Sequence, residues 1–263
     1  MLLQAQGELL DWHGCGAGVM ELSHRSAEFE SILAKAKADL RALLAIPANY
    51  RILFMQGGGN HQFSCVPLNL VENSDEAAVD YVVTGVWSEK AAQEAKRYCK
   101  HVNVAASGKV NGNYTHVPPA ASWKLTPNAK YVYICYNETV NGVQFHDVPE
   151  VPQGTTLVAD MSSDILSKKV DVSKFGLIFA GAQKNIGPSG VTIVIVREDL
   201  LGKALPITPI MCDYKLTADN DSLYNTPPTF AIYMAGLTFQ WLLKPAQGGL
   251  EGIQAANQRK AAK

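Results

Sequence analysis

Lys184 and Asp160 are the two residues whose type and setting most favour chemistry. Lys184 lies in Phe179-Ala180-Gly181-Ala182-Gln183-Lys184-Asn185-Ile186-Gly187-Pro188-Ser189-Gly190, among residues too small to pair with it or cover it. The apolar runs Leu177 to Ala180 and Val191 to Val196 on either side read as short buried strands, which puts the lysine at the mouth of a sheet. Glycine and alanine neighbours let something bulky approach the backbone there. A half-desolvated lysine has a lowered pKa and can form a Schiff base; an ordinary loop lysine is the plainer reading. Asp160 closes the apolar run Gly154 to Asp160, and such strand ends in an open α/β sheet face the ligand crevice. A lysine to hold an aldehyde and a carboxylate to keep a ring nitrogen protonated are what a pyridoxal phosphate site needs. Taken singly, an aspartate that caps the next helix is also common.

Further segments could complete such a site. Gly57-Gly58-Gly59-Asn60 falls between a strand and a helix, where crowded backbone N–H groups and the helix dipole suit a phosphate. Trp87 follows the strand-like run Tyr81 to Val86 and offers a flat face for stacking, although a lone tryptophan is more often core. Asn137-Glu138-Thr139 brings amide and hydroxyl groups to another strand end, or is a simple turn. His24 and Arg25, side by side before a helix, can bind a dianion or form a solvated helix start. Asn225 and Thr226, before Pro227-Pro228, could reach an anion or belong to a proline-capped helix start. His13, His61, His101, His116 and His146 show no metal spacing, and Met211 and Asp213 mark nothing special around Cys212.

The elements that must position these residues are legible in outline. A helix is expected from Ser26 to Leu44, with Pro47 beyond its end. Strands are expected at 51–55, 80–84, 102–104 and 131–135, and helices at 62–70 and 88–98, the latter capped by Ser88. Residues 108–119 are turn-rich, and 248–263 begin a polar helix that nothing closes. This alternation points to an α/β fold: a mostly parallel sheet flanked by helices in three layers. With 263 residues, 47% hydrophobic and 18% charged, the chain can bury a large core. A net charge of −1 without a long basic run argues against a nucleic-acid surface. The five scattered cysteines, with no CxxC pair, read as reduced thiols rather than a disulfide frame or zinc site. No basic, apolar leader and no bilayer-length apolar run is seen, so a cytoplasmic location without membrane contact is expected.

Taken in order, these segments resemble the phosphoserine aminotransferases, within the fold-type-I, class V pyridoxal-phosphate enzymes. The resemblance rests on Glu21 to Arg25, Gln56 to Gly59 with Gln62-Phe63 and Pro67 to Asn69, Thr84 to Ser88, Tyr136 to Thr139, Ala159 to Ser163, Ala182 to Pro188 and Tyr224 to Thr229. It implies that residues 1–263 form the cofactor-binding large domain, with 246–263 starting the connection to a C-terminal domain absent from this chain. That domain would supply the arginine for the substrate α-carboxylate. The resemblance assigns Lys184 as the Schiff-base lysine and Asp160 as partner of the ring nitrogen. Trp87 would stack on the ring, with Thr139 and Gln183 at its phenolic edge. Gly59 and Asn60 would bind the cofactor phosphate, joined by Asn225 and Thr226 from the other subunit of a homodimer. His24 and Arg25 would hold the distal anion of the substrate. The implied reaction is transamination between glutamate and 3-phosphohydroxypyruvate, giving phosphoserine and 2-oxoglutarate in serine biosynthesis. Two alternatives stand beside it: a weakly active or inactive cofactor-binding, dimerising relative, and another class V enzyme such as a cysteine desulfurase.

Overall fold

Side-chain alternation along the strands decides the layering. In β1 (Tyr50–Met55), Ile52 and Phe54 enter one apolar cluster, whereas Leu53 and Met55 enter a second. The same division runs through β6 (Leu177–Gly181) and β7 (Thr192–Arg197): Ile178, Ala180, Ile193 and Ile195 face one cluster, Leu177, Phe179, Val194 and Val196 the other. A sheet apolar on both faces must be covered on both, which yields the expected three layers. The computed structural model describes residues 1–72 and 75–263.

Among the described residues, seven strands form the main sheet. The remaining four are β2 (Ala78–Val83), β3 (His101–Ser107), β4 (Tyr131–Cys135) and β5 (Thr156–Asp160). Their spatial order is β1-β7-β6-β5-β4-β2-β3. β6, β5, β4, β2 and β3 pair in parallel, and β7 runs antiparallel to both β1 and β6. Reversal of β7 leaves β1 pointing the same way as the rest, so six strands end on one edge of the sheet.

α2 (Ala27–Leu44) and α6 (Thr229–Leu242) pack together over the first cluster. Ser26 caps α2 through a bond from Phe29 N–H at 3.3 Å, and Ala45 in the left-handed region ends it before Pro47. α3 (Gly58–Leu70) and α4 (Val86–Ala95) cover the opposite face. α1 (Leu2–Glu8), α5 (Tyr214–Asp219) and α7 (Gly249–Ala261) are the other α-helices among the described residues.

Three expectations are corrected. Helix α3 begins at Gly58 rather than Gln62, so the glycines form its first turn instead of a loop ahead of it. α4 begins at Val86, and Ser88 is its third residue rather than its cap; the Ser88 hydroxyl bonds back to the Gly85 backbone. The segment after Asp160 is a turn, so Asp160 caps no helix.

Candidate active site

The shared edge of the sheet gathers the residues of interest. β5 ends in Asp160, β6 leads into Gln183 and Lys184, β4 into Asn137 and Thr139, β2 into Trp87, and β1 into the first turn of α3. A crevice of about 120 Å³ at this edge is lined by Gly59, Asn60, Phe63, Trp87, Asn137, Asp160, Ser162, Ser163, Gln183 and Lys184. Residues 125 positions apart in the chain therefore meet because parallel strands deliver their C-terminal ends to one place.

Asp160 is buried at the floor. Its Oδ1 accepts two bonds from Ser162, from the backbone N–H at 2.9 Å and from the hydroxyl at 2.6 Å. The Ser162 hydroxyl in turn accepts from Gly181 N–H at 3.0 Å, which fixes it to β6. Burial raises the Asp160 carboxyl to about 6, against the opposing pull of the Ser162 bonds and of Lys184. Its Oδ2 lies 3.7 Å from where a Cβ on Gly59 would stand, so the absence of a side chain at residue 59 keeps the approach to this carboxylate open.

Lys184 departs from expectation in one respect: its side chain is exposed rather than half desolvated. The loop of small residues that carries it leaves its amine covered on few sides. Lys184 Nζ donates to Thr139 Oγ1 at 2.9 Å and stands 5.5 Å from the centre of the Trp87 ring. Trp87 is half buried, and its indole Nε1 is buried without a partner. Lys90 Nζ lies 4.8 Å from the centre of the same ring.

The first turn of α3 supplies donors. Gly57, with φ of 89°, precedes the helix and gives no side-chain cap. Gly58 N–H donates to Thr192 Oγ1 at 2.8 Å, tying this turn to β7. The amides of Gly59 and Asn60 fall in the turn whose N–H groups have no intrahelical acceptor, beside the crevice.

His24, Arg25, Asn225 and Thr226 are not brought into this crevice. His24 is half buried with its Nε2 partnerless, and Arg25 is exposed beside it. Asn225 lines a second cavity with Gln56 and Gly57, and the Thr226 carbonyl accepts from Gln56 Nε2 at 3.1 Å.

Two supporting residues carry roles that the sequence left unassigned. Glu138, fully buried, accepts from the backbone N–H groups of Trp87 at 3.0 Å and Ser88 at 2.8 Å, and from the Ser88 hydroxyl at 2.6 Å. It neutralises the start of α4 and fixes Trp87. Ser162 orients Asp160 as described. Both lie next to residues singled out by the sequence, and for Glu138 an acidic residue just after the apolar run Tyr131 to Cys135 was the available signal. His61 and Cys65 stand four residues apart on one face of α3, beside Cys212, a grouping that the histidines and cysteines taken separately do not reveal.

Comparison with known proteins agrees with this arrangement. The family described as "Aminotransferase class-V" matches residues 2–263. A phosphoserine aminotransferase of Laribacter hongkongensis is 58% identical over 99% of this chain and 70% of its own length. The chloroplastic phosphoserine aminotransferase 1 of Arabidopsis thaliana is 58% identical over 99% of the chain, which spans only 59% of that relative. The solved structure of a pyridoxal-phosphate-bound phosphoserine aminotransferase from Trichomonas vaginalis superposes with a TM-score of 0.91 at 41% identity, over 99% of this chain and 76% of that one. With its lysine, aspartate, tryptophan and glycine turn at one sheet edge, and with matches that run almost end to end, this chain belongs to the class-V aminotransferase family, among the phosphoserine aminotransferases.

Proposed function

We propose that the chain holds pyridoxal 5′-phosphate in the Lys184 crevice and moves an amino group between glutamate and 3-phosphohydroxypyruvate. The observation that carries this reading is the state of Asp160. One oxygen is fully engaged by Ser162, and the other borders the space kept open by Gly59, in the same crevice as Lys184. A carboxylate so held fits a cationic ring nitrogen. The half-buried Trp87 ring and the first-turn amides of Gly59 and Asn60, all bordering the crevice, suit the ring face and the phosphate.

Bound pyridoxal phosphate supplies an aldehyde with which amines condense and a ring that takes up electrons. The rest of the work falls to this chain. Asp160 holds the ring-nitrogen proton in place, and Ser162 keeps its carboxylate oriented. Trp87, clamped by Glu138, gives the flat wall. Thr139 and Gln183 serve the phenolic edge, and Gly59 with Asn60 binds phosphate. Lys184 Nζ, exposed and free to swing from Thr139, takes the proton from the Cα of the amino-acid substrate and returns it later. His24 and Arg25, which lie outside the crevice of their own chain, are assigned to the distal anion of the substrate.

The relatives are longer, so residues 1–263 are read as the cofactor-binding large domain, with 246–263 leading toward a further domain. Asn225 and Thr226, exposed and outside their own crevice, are assigned to the phosphate of a partner subunit in a homodimer.

Absorption spectra with added pyridoxal phosphate, then with glutamate, test the reading. A visible band that is absent in Lys184→Ala and is bleached by glutamate is expected. A band unchanged by glutamate would instead favour a cofactor-binding relative without turnover. No Lys184-dependent band would reject the assignment of the site.

A further inference from the structure

α3 has two working faces. Gly59, Asn60 and Phe63 look into the Lys184 crevice, whereas His61 and Cys65 turn the other way, toward the segment that carries Cys212. The ligand atoms of His61, Cys65 and Cys212 all lie within 4.8 Å of one another. His61 Nε2 stands 3.5 Å from Cys212 Sγ. Zinc-to-sulfur and zinc-to-nitrogen lengths of about 2.3 and 2.0–2.1 Å give a tetrahedral N-to-S edge of roughly 3.5 Å. The His61–Cys212 separation, which the two side chains now span with a hydrogen bond, matches this edge and needs no rearrangement to receive an ion. We propose that His61, Cys65 and Cys212 form a binding site for a soft divalent cation of the zinc type, with three protein ligands and a fourth position open to the neighbouring cavity.

Three further features support the assignment. The ligand-bearing backbones are already fastened together: Asn69 Nδ2 donates to the carbonyls of both Cys65 and Cys212, at 2.8 and 2.7 Å, and Asn69 Oδ1 accepts from Tyr214 N–H at 3.0 Å. Such bracing sets ligand positions before an ion arrives. Second, Gly57 makes room for the imidazole, since a Cβ there would fall 2.5 Å from the His61 Cβ. Third, His61 and Met211 line a cavity of about 340 Å³, which gives access to the fourth position although both cysteines are buried. On binding, each thiol releases its proton to solvent and the neutral imidazole coordinates through Nε2. Two thiolates and one divalent ion sum to zero charge, which suits a buried place. Closure of the site would pin the first two turns of α3 to residues 210–212.

Cobalt titration of the reduced, metal-stripped chain is the test, because tetrahedral cobalt with thiolate ligands gives intense visible bands and a near-ultraviolet charge-transfer band. One cobalt per chain, displaced by zinc, is expected. Cys65→Ala, Cys212→Ala and His61→Gln should each weaken binding more than about 100-fold, beyond the usual cost of losing a supporting residue. Cys15→Ser, at an exposed thiol, should change nothing. His61 is only half buried, so His61→Gln keeps the test valid if a cysteine variant fails to fold, with circular dichroism as the check. Absence of the thiolate band in the folded parent chain, or its survival in the folded His61→Gln and cysteine variants, would overturn the proposal.

Discussion

Ser162 gives both its backbone N–H and its hydroxyl to the same carboxylate oxygen of Asp160, and thereby orients a buried acid that would otherwise be free to rotate. In Ser162→Ala one of these bonds is lost, and Gly181 N–H loses its acceptor. A buried donor left unsatisfied costs about 1–3 kcal/mol, measurable by urea denaturation. The same bonds hold the Asp160 carboxyl down against burial, so their loss raises it above about 6. Because the carboxylate form is the one that pairs with a protonated ring nitrogen, cofactor affinity in the parent chain should fall as pH drops through about 6. In Ser162→Ala the fall should begin at higher pH. Equilibrium titration with pyridoxal phosphate across pH 5–8 reads the difference; coincident profiles would remove Ser162 from this role.

Asp160→Asn should separate stability from function. With its folded pKa raised from 3.8 to about 6, Asp160 favours folding at low pH, and that contribution is lost as pH rises through about 6. Above pH 6 the cofactor-free chain carries the cost of a buried charge, so the neutral amide should stabilise it by up to about 3 kcal/mol. Cofactor-dependent proton transfer should meanwhile be nearly abolished. Paired denaturation curves below the unfolded pKa of 3.8 and at pH 8 check the sign: the gain should be nearly absent in the first and full in the second.

The clamp on Trp87 should be sensitive to a single methyl group. A Cβ on Gly85 would lie 2.4 Å from Glu138 Cδ, so Gly85→Ala must displace the carboxylate or the start of α4. Overpacking of this kind costs about 1–3 kcal/mol. Glu138→Gln should weaken the same clamp by turning an amide donor toward backbone donors. Both variants should weaken cofactor binding and alter the near-ultraviolet circular dichroism of the indoles. Unchanged affinity in a folded Gly85→Ala chain would show that Trp87 placement is immaterial.

Lys184→Ala should leave the cofactor-free chain nearly as stable as the parent. The side chain is exposed and its hydrogen bond to Thr139 is at the surface, so a change within about 0.5 kcal/mol is expected by thermal melting. A large loss of stability would mean that the lysine is structural as well as chemical.

The sequence was most informative where a strand end and a chemical group coincide. Asp160, Lys184, Gln183, Trp87, Gly59 and Asn60 share one crevice because each follows, or closes, a strand that could be recognised by its apolar run. Glu138 and Ser162 were less legible, since their partners lie 50 and 19 residues away and depend on which strands are neighbours. Lys184 exposure could not be read either, because it depends on what covers the loop rather than on the loop itself. His61 and Cys65 share a helix face only once α3 is known to begin at Gly58, and Cys212 joins them from 151 residues beyond His61. The reversal of β7 likewise has no local signature; a buried apolar strand reads the same in either direction.

That reversal bears on how the chain assembles. With β6 and β7 antiparallel neighbours, the loop carrying Lys184 is the link of a sequence-local pair, clasped where Ala182 N–H bonds the Val191 carbonyl at 3.0 Å. Such contacts close quickly. The bond from Gly58 N–H to Thr192, by contrast, spans 134 residues, and β1 can join the sheet only after a long loop is closed. The lysine arm is thus a local product of folding, whereas the glycine turn is seated by docking of β1, so cofactor capture during refolding should report a late event rather than an early one.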